Sequence, residues 1–181
     1  MDDIGSAATR MSRLVQDLLN YSRMSRAEIV LEPVGVLNSV REALQELGEP
    51  PERLKLDIDD SLAVIAHRAT LTQVLANLIA NAMKFHQRDR RAEVTIRAIR
   101  DGAYLKIEVQ DTGIGIDTKY LDRIFKVFER LHGADEFPGT GIGLAIVQRG
   151  IERMSGTVEV ASTLGLGTTF TITLPAAEAE G

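Results

Sequence analysis

The chain has 181 residues, is 44% hydrophobic and 26% charged, carries a formal net charge of -5 and contains no cysteine. This is the composition of one globular domain with a small appendage; it excludes disulfides and thiolate-bound zinc, and the net negative charge argues against a nucleic-acid partner held through phosphate contacts. No apolar run is long enough to cross a bilayer, and the opening "MDDIGSAATR" lacks the charged-then-apolar pattern of a signal peptide.

In chain order, residues 1 to about 28 read as one helix. Ile4, Ala8, Met11, Val15 and Leu18 recur at steps of four and three, forming a seam that one helix cannot bury by itself. A helical hairpin or dimeric bundle is the favoured partner, ahead of packing on the following domain. Pro33 breaks the helix and marks a short extended piece. "VLNSVREALQEL" has helical spacing, "GEPPE" is a turn, and "RLKLDID" and "LAVIA" read as strands, the first half-buried. A long helix is expected over about 69–85. "RAEVTIRAIRDGAYLKIEVQD" reads as two strands joined at Asp101-Gly102. "DTGIGID" is a glycine loop, "TKYLDRIFKVFERL" a short and partly helical piece, and "HGADEFPGTG" a loop rich in glycine and acid. "GTGIGLAIV" opens a helix running to about Met154, "GTVEVAS" and "GTTFTITLP" are the last strands, and "AAEAEG" is a frayed tail. Helices mixed with largely antiparallel strands predict an α+β, two-layer α/β sandwich with an N-terminal helix.

Three stretches carry chemistry. The glycines Gly139, Gly141 and Gly143 stand at the entry to an apolar helix, where bare backbone N–H groups and the helix dipole suit phosphate. In "LTQVLANLIANAMKF", Leu71, Val74, Leu75, Leu78, Ile79 and Ala82 form an apolar face. Asn77, Asn81 and Lys84, at i, i+4 and i+7, share another. Asparagine is a poor choice inside a helix. Either both amides bond to neighbouring backbone or water, or an amide oxygen meets a hard cation and the lysine an anion; one such oxygen beside phosphates suffices for Mg²⁺. In "VQDTGIGID", Asp111 ends a strand before Gly113 and Gly115, and it either closes an Asx turn or accepts a hydrogen bond from an exocyclic amine.

In that order, these stretches resemble the catalytic, ATP-binding domain of sensor histidine kinases. That domain has the GHKL (Bergerat-type) ATP-binding fold shared with gyrase, mismatch-repair and heat-shock chaperone ATPases. Asn77–Phe85 resembles the N box of that family, Asp111–Gly115 its first glycine box and Gly139–Gly143 its second. Phe125 and Phe128 resemble its F box, and "GLGTTF", with Gly165, Gly167 and Thr169, its third glycine element. "RMSRLVQDLLNYSRM" is similar to the second helix of the dimerisation and phosphotransfer hairpin, and "FERLHGADEFPGTGIGLAI" to the phytochrome-type branch. The resemblance implies a hairpin helix over 1–28, an ATP-binding domain over 29–175 and a tail over 176–181.

It also implies roles. Asn81 is the Mg²⁺ ligand, Lys84 meets a phosphate, Asp111 takes the adenine amine, and Arg130 balances phosphate charge. Gly139, Thr140, Gly141, Gly143 and Leu144 line the phosphate side. Gly113, Gly115, Phe128 and Thr169 complete the nucleotide set, with "ERLHGADEFP" as a lid anchored by Phe125 and Phe128. Hydrolysing relatives carry a glutamate where this chain has Asn77, and a neutral amide has no protonation step with which to activate water. The implied cofactors are ATP and Mg²⁺. The implied partners are a second copy through the helical hairpin and a response regulator, with no nucleic acid and no membrane contact, in the cytoplasm. None of His67, His86 or His132 is followed by the acid and proline of the family's phosphoacceptor. The segment is therefore expected to start between the two hairpin helices, to bind ATP or ADP with Mg²⁺, and not to phosphorylate itself. The alternatives are a nucleotide-binding pseudokinase or scaffold and an anti-sigma-type serine kinase.

Overall fold

The computed structural model of the protein describes residues 2–48, 50–87, 89–90, 93–131, 137 and 139–178. The described helices are α1 (Asp2–Arg26), α2 (Val36–Leu47), α3 (Arg68–Lys84) and α4 (Gly143–Arg153). The strands are β1 (Glu32–Gly35), β2 (Arg53–Asp57), β3 (Ala63–Ala66), β4 (Glu93–Asp101), β5 (Tyr104–Asp111), β6 (Thr157–Thr163) and β7 (Gly167–Pro175). The larger sheet has the order β2-β4-β5-β7-β6 and is antiparallel except where β2 runs parallel to β4. β1 and β3 make a separate antiparallel pair.

Alternation decides which strand face is dry. Val94 and Ile96 of β4, Leu105, Ile107 and Val109 of β5, and Phe170, Ile172 and Leu174 of β7 are buried, while their neighbours face outward. The apolar face of α3 (Leu71, Val74, Leu75, Leu78, Ile79 and Ala82) meets this layer, and α2 and α4 contribute Val36, Val40, Val147 and Ile151 to the same core. The expected α+β two-layer sandwich with a mixed, largely antiparallel sheet is the architecture observed.

Several local expectations are corrected. β2 is an edge strand, mostly exposed, because only β4 flanks it. The β4–β5 turn is centred on Gly102-Ala103, with Asp101 still paired to Tyr104; Gly102 holds the positive φ of 61° that the first central position of a II′ turn requires. The piece after the glycine loop has one 3₁₀ turn, Thr118–Tyr120, and otherwise only turns. α4 starts at Gly143, because Gly141 sits at φ 75°, outside helical space. The chain end is ordered further than expected: Ala176 bridges to Val64, and the Ala177 N–H donates to the Ala63 carbonyl at 2.9 Å.

The end of α1 lies against α4. The Met24 thioether approaches Gly150, and the Arg153 guanidinium donates to the carbonyls of Met24 and Ala27. Met11, Val15, Leu18 and Leu19 of the seam stay exposed, and the side chain of Ile4 lies outside the described residues. The observed contact is with the following domain, and the remaining seam carries no partner among the described residues.

Candidate functional site

A cavity of about 330 Å³ opens between the helix layer and the sheet. α3 supplies it with Asn77, Asn81 and Lys84, three successive turns of one face, as their spacing predicts. Asn77 Nδ2 donates to the Gln73 carbonyl at 2.9 Å, so its amide nitrogen bonds to neighbouring backbone. Its Oδ1 stands 3.0 Å from where a side chain on Gly143 would begin. Asn81 makes no side-chain hydrogen bond among the described residues and faces the cavity. Lys84 is half-buried, with Nζ 4.4 Å from the centre of the Phe85 ring. Burial, and then the Arg130 guanidinium, hold its pKa below the usual lysine value. A cation disfavoured by both solvent exclusion and a like charge is primed for an anion.

The glycine loop packs against this cationic wall. A Cβ on Gly139 would lie 2.6 Å from Lys84 Nζ. Gly141 at φ 75° accepts the Phe128 N–H at 2.9 Å, and a Cβ there would lie 3.1 Å from the Arg130 side chain. The Thr140 hydroxyl donates to Asp17 Oδ2 of α1 at 2.5 Å. Gly143 and Leu144 also line the cavity.

Asp111 gathers the second cluster. Its Oδ1 accepts the Gly113 N–H at 2.8 Å and the Thr168 N–H at 3.3 Å. Burial outweighs these two bonds and pushes its pKa up to about 6. The turn around it needs bare backbone: a Cβ on Gly113 would stand 2.1 Å from the Phe85 carbonyl oxygen. Gly115, at φ 70°, would place one 2.1 Å from that of Thr163. Ile114, Ile116, Ile124 and Phe170 give the cavity apolar walls.

The structure thus brings Asn77, Asn81, Lys84, Asp111, Gly115, Arg130, Gly139, Thr140, Gly141, Gly143 and Leu144 to one cavity. Gly113, Phe128 and Thr169 do not line it. Gly113 acts behind Asp111, and Phe128 holds φ 66° with its ring exposed. Thr169 lies on the outer face of β7, where the two-residue period puts Thr168 and Phe170 inside. That period was the unused signal for Thr168. Phe125 packs edge-on against Phe170, ring centres 6.3 Å apart. Of the expected lid, His132–Glu136 and Pro138 lie outside the described residues. Glu129, Arg130, Leu131 and Phe137 border the cavity; Arg130 donates to the Phe137 carbonyl at 3.1 Å, and the Phe137 ring sits 5.1 Å from that of Phe85. His67 bonds Thr70 at 2.8 Å and His86 the Gln87 carbonyl at 2.8 Å, and neither lines the cavity. Arg13 and Asp17 of α1 do line it, and sequence reasoning missed both.

A buried acceptor beside apolar walls fits an aminated aromatic ring, and a glycine loop under lysine and arginine fits a polyphosphate. The cradle is one that Cβ atoms at Gly139 and Gly143 would fill. Among the described residues no group of three or more His, Cys, Asp or Glu is placed to hold a metal. The amide oxygen of Asn81 suits a cation whose other ligands are phosphate and water.

The family described as "Histidine kinase-, DNA gyrase B-, and HSP90-like ATPase" matches residues 66–178. The chain is 36% identical over 167 residues to the phytochrome-like protein Cph1 of Synechocystis, covering 91% of this chain and 22% of that protein. It is 35% identical over 182 residues to the aerobic respiration control sensor protein ArcB of Escherichia coli, covering 94% and 23%. Full-length ShkA, solved in complex with AMPPNP, superposes with a TM-score of 0.77 at 30% identity over 93% of this chain and 36% of its own. The mycobacterial sensor histidine kinase MprB shares the fold, with a TM-score of 0.71 at 24% identity over 81% of this chain and 98% of its own. The chain spans under a quarter of the length of the Cph1 and ArcB relatives.

Proposed function

This chain belongs to the histidine kinase-, DNA gyrase B-, and HSP90-like ATPase family, and we propose that it is the catalytic, ATP-binding part of a two-component sensor histidine kinase. In this role it presents Mg-ATP for transfer of the γ-phosphoryl group to a histidine outside this segment. One observation carries the reading: Asp111, Asn81, Lys84 and the glycine loop converge on a single cavity.

When bound, the nucleotide supplies the transferable phosphoryl group and most of the oxygens around the metal. The residues of the chain bind and orient. Asp111 would accept the adenine amine, beside the apolar wall of Ile114, Ile116 and Phe170. Asn81 would offer its amide oxygen to Mg²⁺. Lys84 and Arg130 offset phosphate charge, and Gly139, Gly141 and Gly143 leave backbone N–H groups bare beside it. Asn77 lacks a protonation step, so the site holds ATP without activating water and waits for an external nucleophile. Phosphoryl transfer depends chiefly on such positioning and charge stabilisation. No described helix is long and apolar enough to cross a membrane. In the whole protein the setting is cytoplasmic, α1 is one helix of a dimerising hairpin, and a response regulator receives the phosphoryl group.

Calorimetry with ATP tests this. Binding should require Mg²⁺ for full affinity, Asn81→Ala should remove most of the Mg²⁺ dependence, and labelled ATP should leave no acid-labile phosphate on the segment. Failure of the chain, wild type and Asp17→Asn alike, to bind any adenine nucleotide overturns the reading.

A further inference from the structure

The wall that α1 adds to the cavity contains a carboxylate. Asp17 Oδ2 accepts a hydrogen bond from the hydroxyl of Thr140, which lies between Gly139 and Gly141. Among the described residues Thr140 is its only hydrogen-bonding partner, and it forms no ion pair, although Arg13 lies one turn earlier on the same wall. A carboxylate only accepts, as phosphate oxygens do. It therefore takes up one donor of the loop, the Thr140 hydroxyl, and brings a negative charge to a cavity that also holds Lys84 and Arg130.

We infer, resting on the reading of this cavity as a nucleotide site, that Asp17 is a charge gate: an internal anion on the glycine loop that sets affinity by the number of phosphates a ligand carries. Adenosine brings no charge to the loop and ignores Asp17. ADP and ATP meet a fixed negative charge in a partly desolvated site, and the opposition grows with each phosphate. The gate is carried by α1, which is held to the rest of the domain at its C-terminal end. α1 is fixed to α4 by Arg153, which grips the carbonyls of Met24 and Ala27, and by the contact of Met24 with Gly150. A triphosphate and a docked α1 therefore disfavour each other, and by linkage the effect is reciprocal: ATP loosens α1 as much as α1 weakens ATP.

Asp17→Asn keeps an oxygen for Thr140 and removes only the charge. Calorimetric titration of the wild-type chain and this variant with adenosine, Mg-ADP and Mg-ATP should show unchanged adenosine affinity, a gain of about threefold for ADP and a gain of about tenfold for ATP. Arg153→Ala, outside the cavity lining, should raise ATP affinity by releasing α1, and should give no gain in the Asp17→Asn background, where releasing α1 withdraws only Arg13 from the wall. Hydrogen exchange should report faster exchange in α1 on ATP binding to the wild type. Equal gains for all three ligands, or a loss of Mg-ATP affinity as expected of a metal ligand, overturn the gate while leaving the nucleotide site standing. Absence of binding to the wild type and to both variants overturns the nucleotide site and the gate with it.

Discussion

In the proposed function, Asp111 is a side chain that trades stability for recognition. Its folded pKa, about 6, lies above the ordinary value of 3.8. Below that ordinary value the group is protonated whether the chain is folded or not and contributes nothing. As the pH rises from about 4 to about 6 the unfolded chain releases its proton first, so stability falls, and above about 6 the full cost of roughly 3 kcal/mol is present. Asp111→Asn keeps an oxygen for the Gly113 and Thr168 N–H groups and removes the buried charge. Urea denaturation at pH 7.5 should find it more stable by about 1–3 kcal/mol, while calorimetry should find adenine nucleotide affinity reduced at least about tenfold. An amine that donates to the carboxylate favours its charged form. Nucleotide binding near pH 6 should therefore release a proton, seen as a binding heat that varies with the ionisation enthalpy of the buffer, and affinity should fall from pH 7 to pH 5. Two glycines separate fold from site in the same way. Gly115→Ala meets the Thr163 backbone at 2.1 Å from a residue already at φ 70°, and should cost more than about 2 kcal/mol of stability. Gly139→Ala meets only the mobile end of Lys84, so thermal melting should barely change while ATP affinity falls.

At the scale of elements, α3 and α4 divide packing from chemistry by face. α3 turns Leu71, Leu75, Leu78 and Ile79 to the core and Asn77, Asn81 and Lys84 to the cavity. Both faces were legible, because 3.6-residue periodicity assigns them without any tertiary knowledge. The start of α4 was not, because the left-handed conformation of Gly141 is a backbone state that a run of glycines permits but does not dictate. Thr169, expected at the site from its motif, stands on the outer face of β7, because strand alternation turns Thr168 and Phe170 to the cavity instead. Gly150 marks a close crossing in the helix layer: a Cβ there would stand 2.9 Å from Val74 and 3.0 Å from Thr70 on α3 and 3.3 Å from Met24 on α1. Two effects of Gly150→Ala oppose each other. Alanine gains about 1 kcal/mol of helix propensity, whereas overpacking a close crossing costs typically 1–3 kcal/mol. Three neighbours from two other helices limit relaxation, so overpacking should win, and urea denaturation should show a net loss of about 1 kcal/mol.

Across the whole molecule, the cavity lies on the seam between the two layers, and the two clusters that build it come from elements far apart in sequence. The layers could be foreseen because the long strands and α2, α3 and α4 carry their own hydrophobic periods. The docking of α1 could not: Asp17 and Thr140 are 123 residues apart, and nothing in the local pattern of "RLVQDLL" marks the aspartate as a neighbour of the glycine loop. A ligand seated on such a seam touches α3, β5, β7 and the entry to α4 together, so it should stabilise the domain as one unit. At a free concentration one hundred times the dissociation constant, mass action supplies about 2.7 kcal/mol. For a chain of this size each kcal/mol raises the midpoint by about 2–4 °C, so Mg-ATP should raise it by about 5–10 °C in a single transition. GTP at the same concentration should give almost no shift, because guanine turns a carbonyl oxygen where adenine offers an amine and Asp111 has no proton to meet it at pH 7.5. Equal shifts for the two nucleotides would remove Asp111 from recognition of the base. A shift confined to an early partial transition would mean that the ligand holds only one layer.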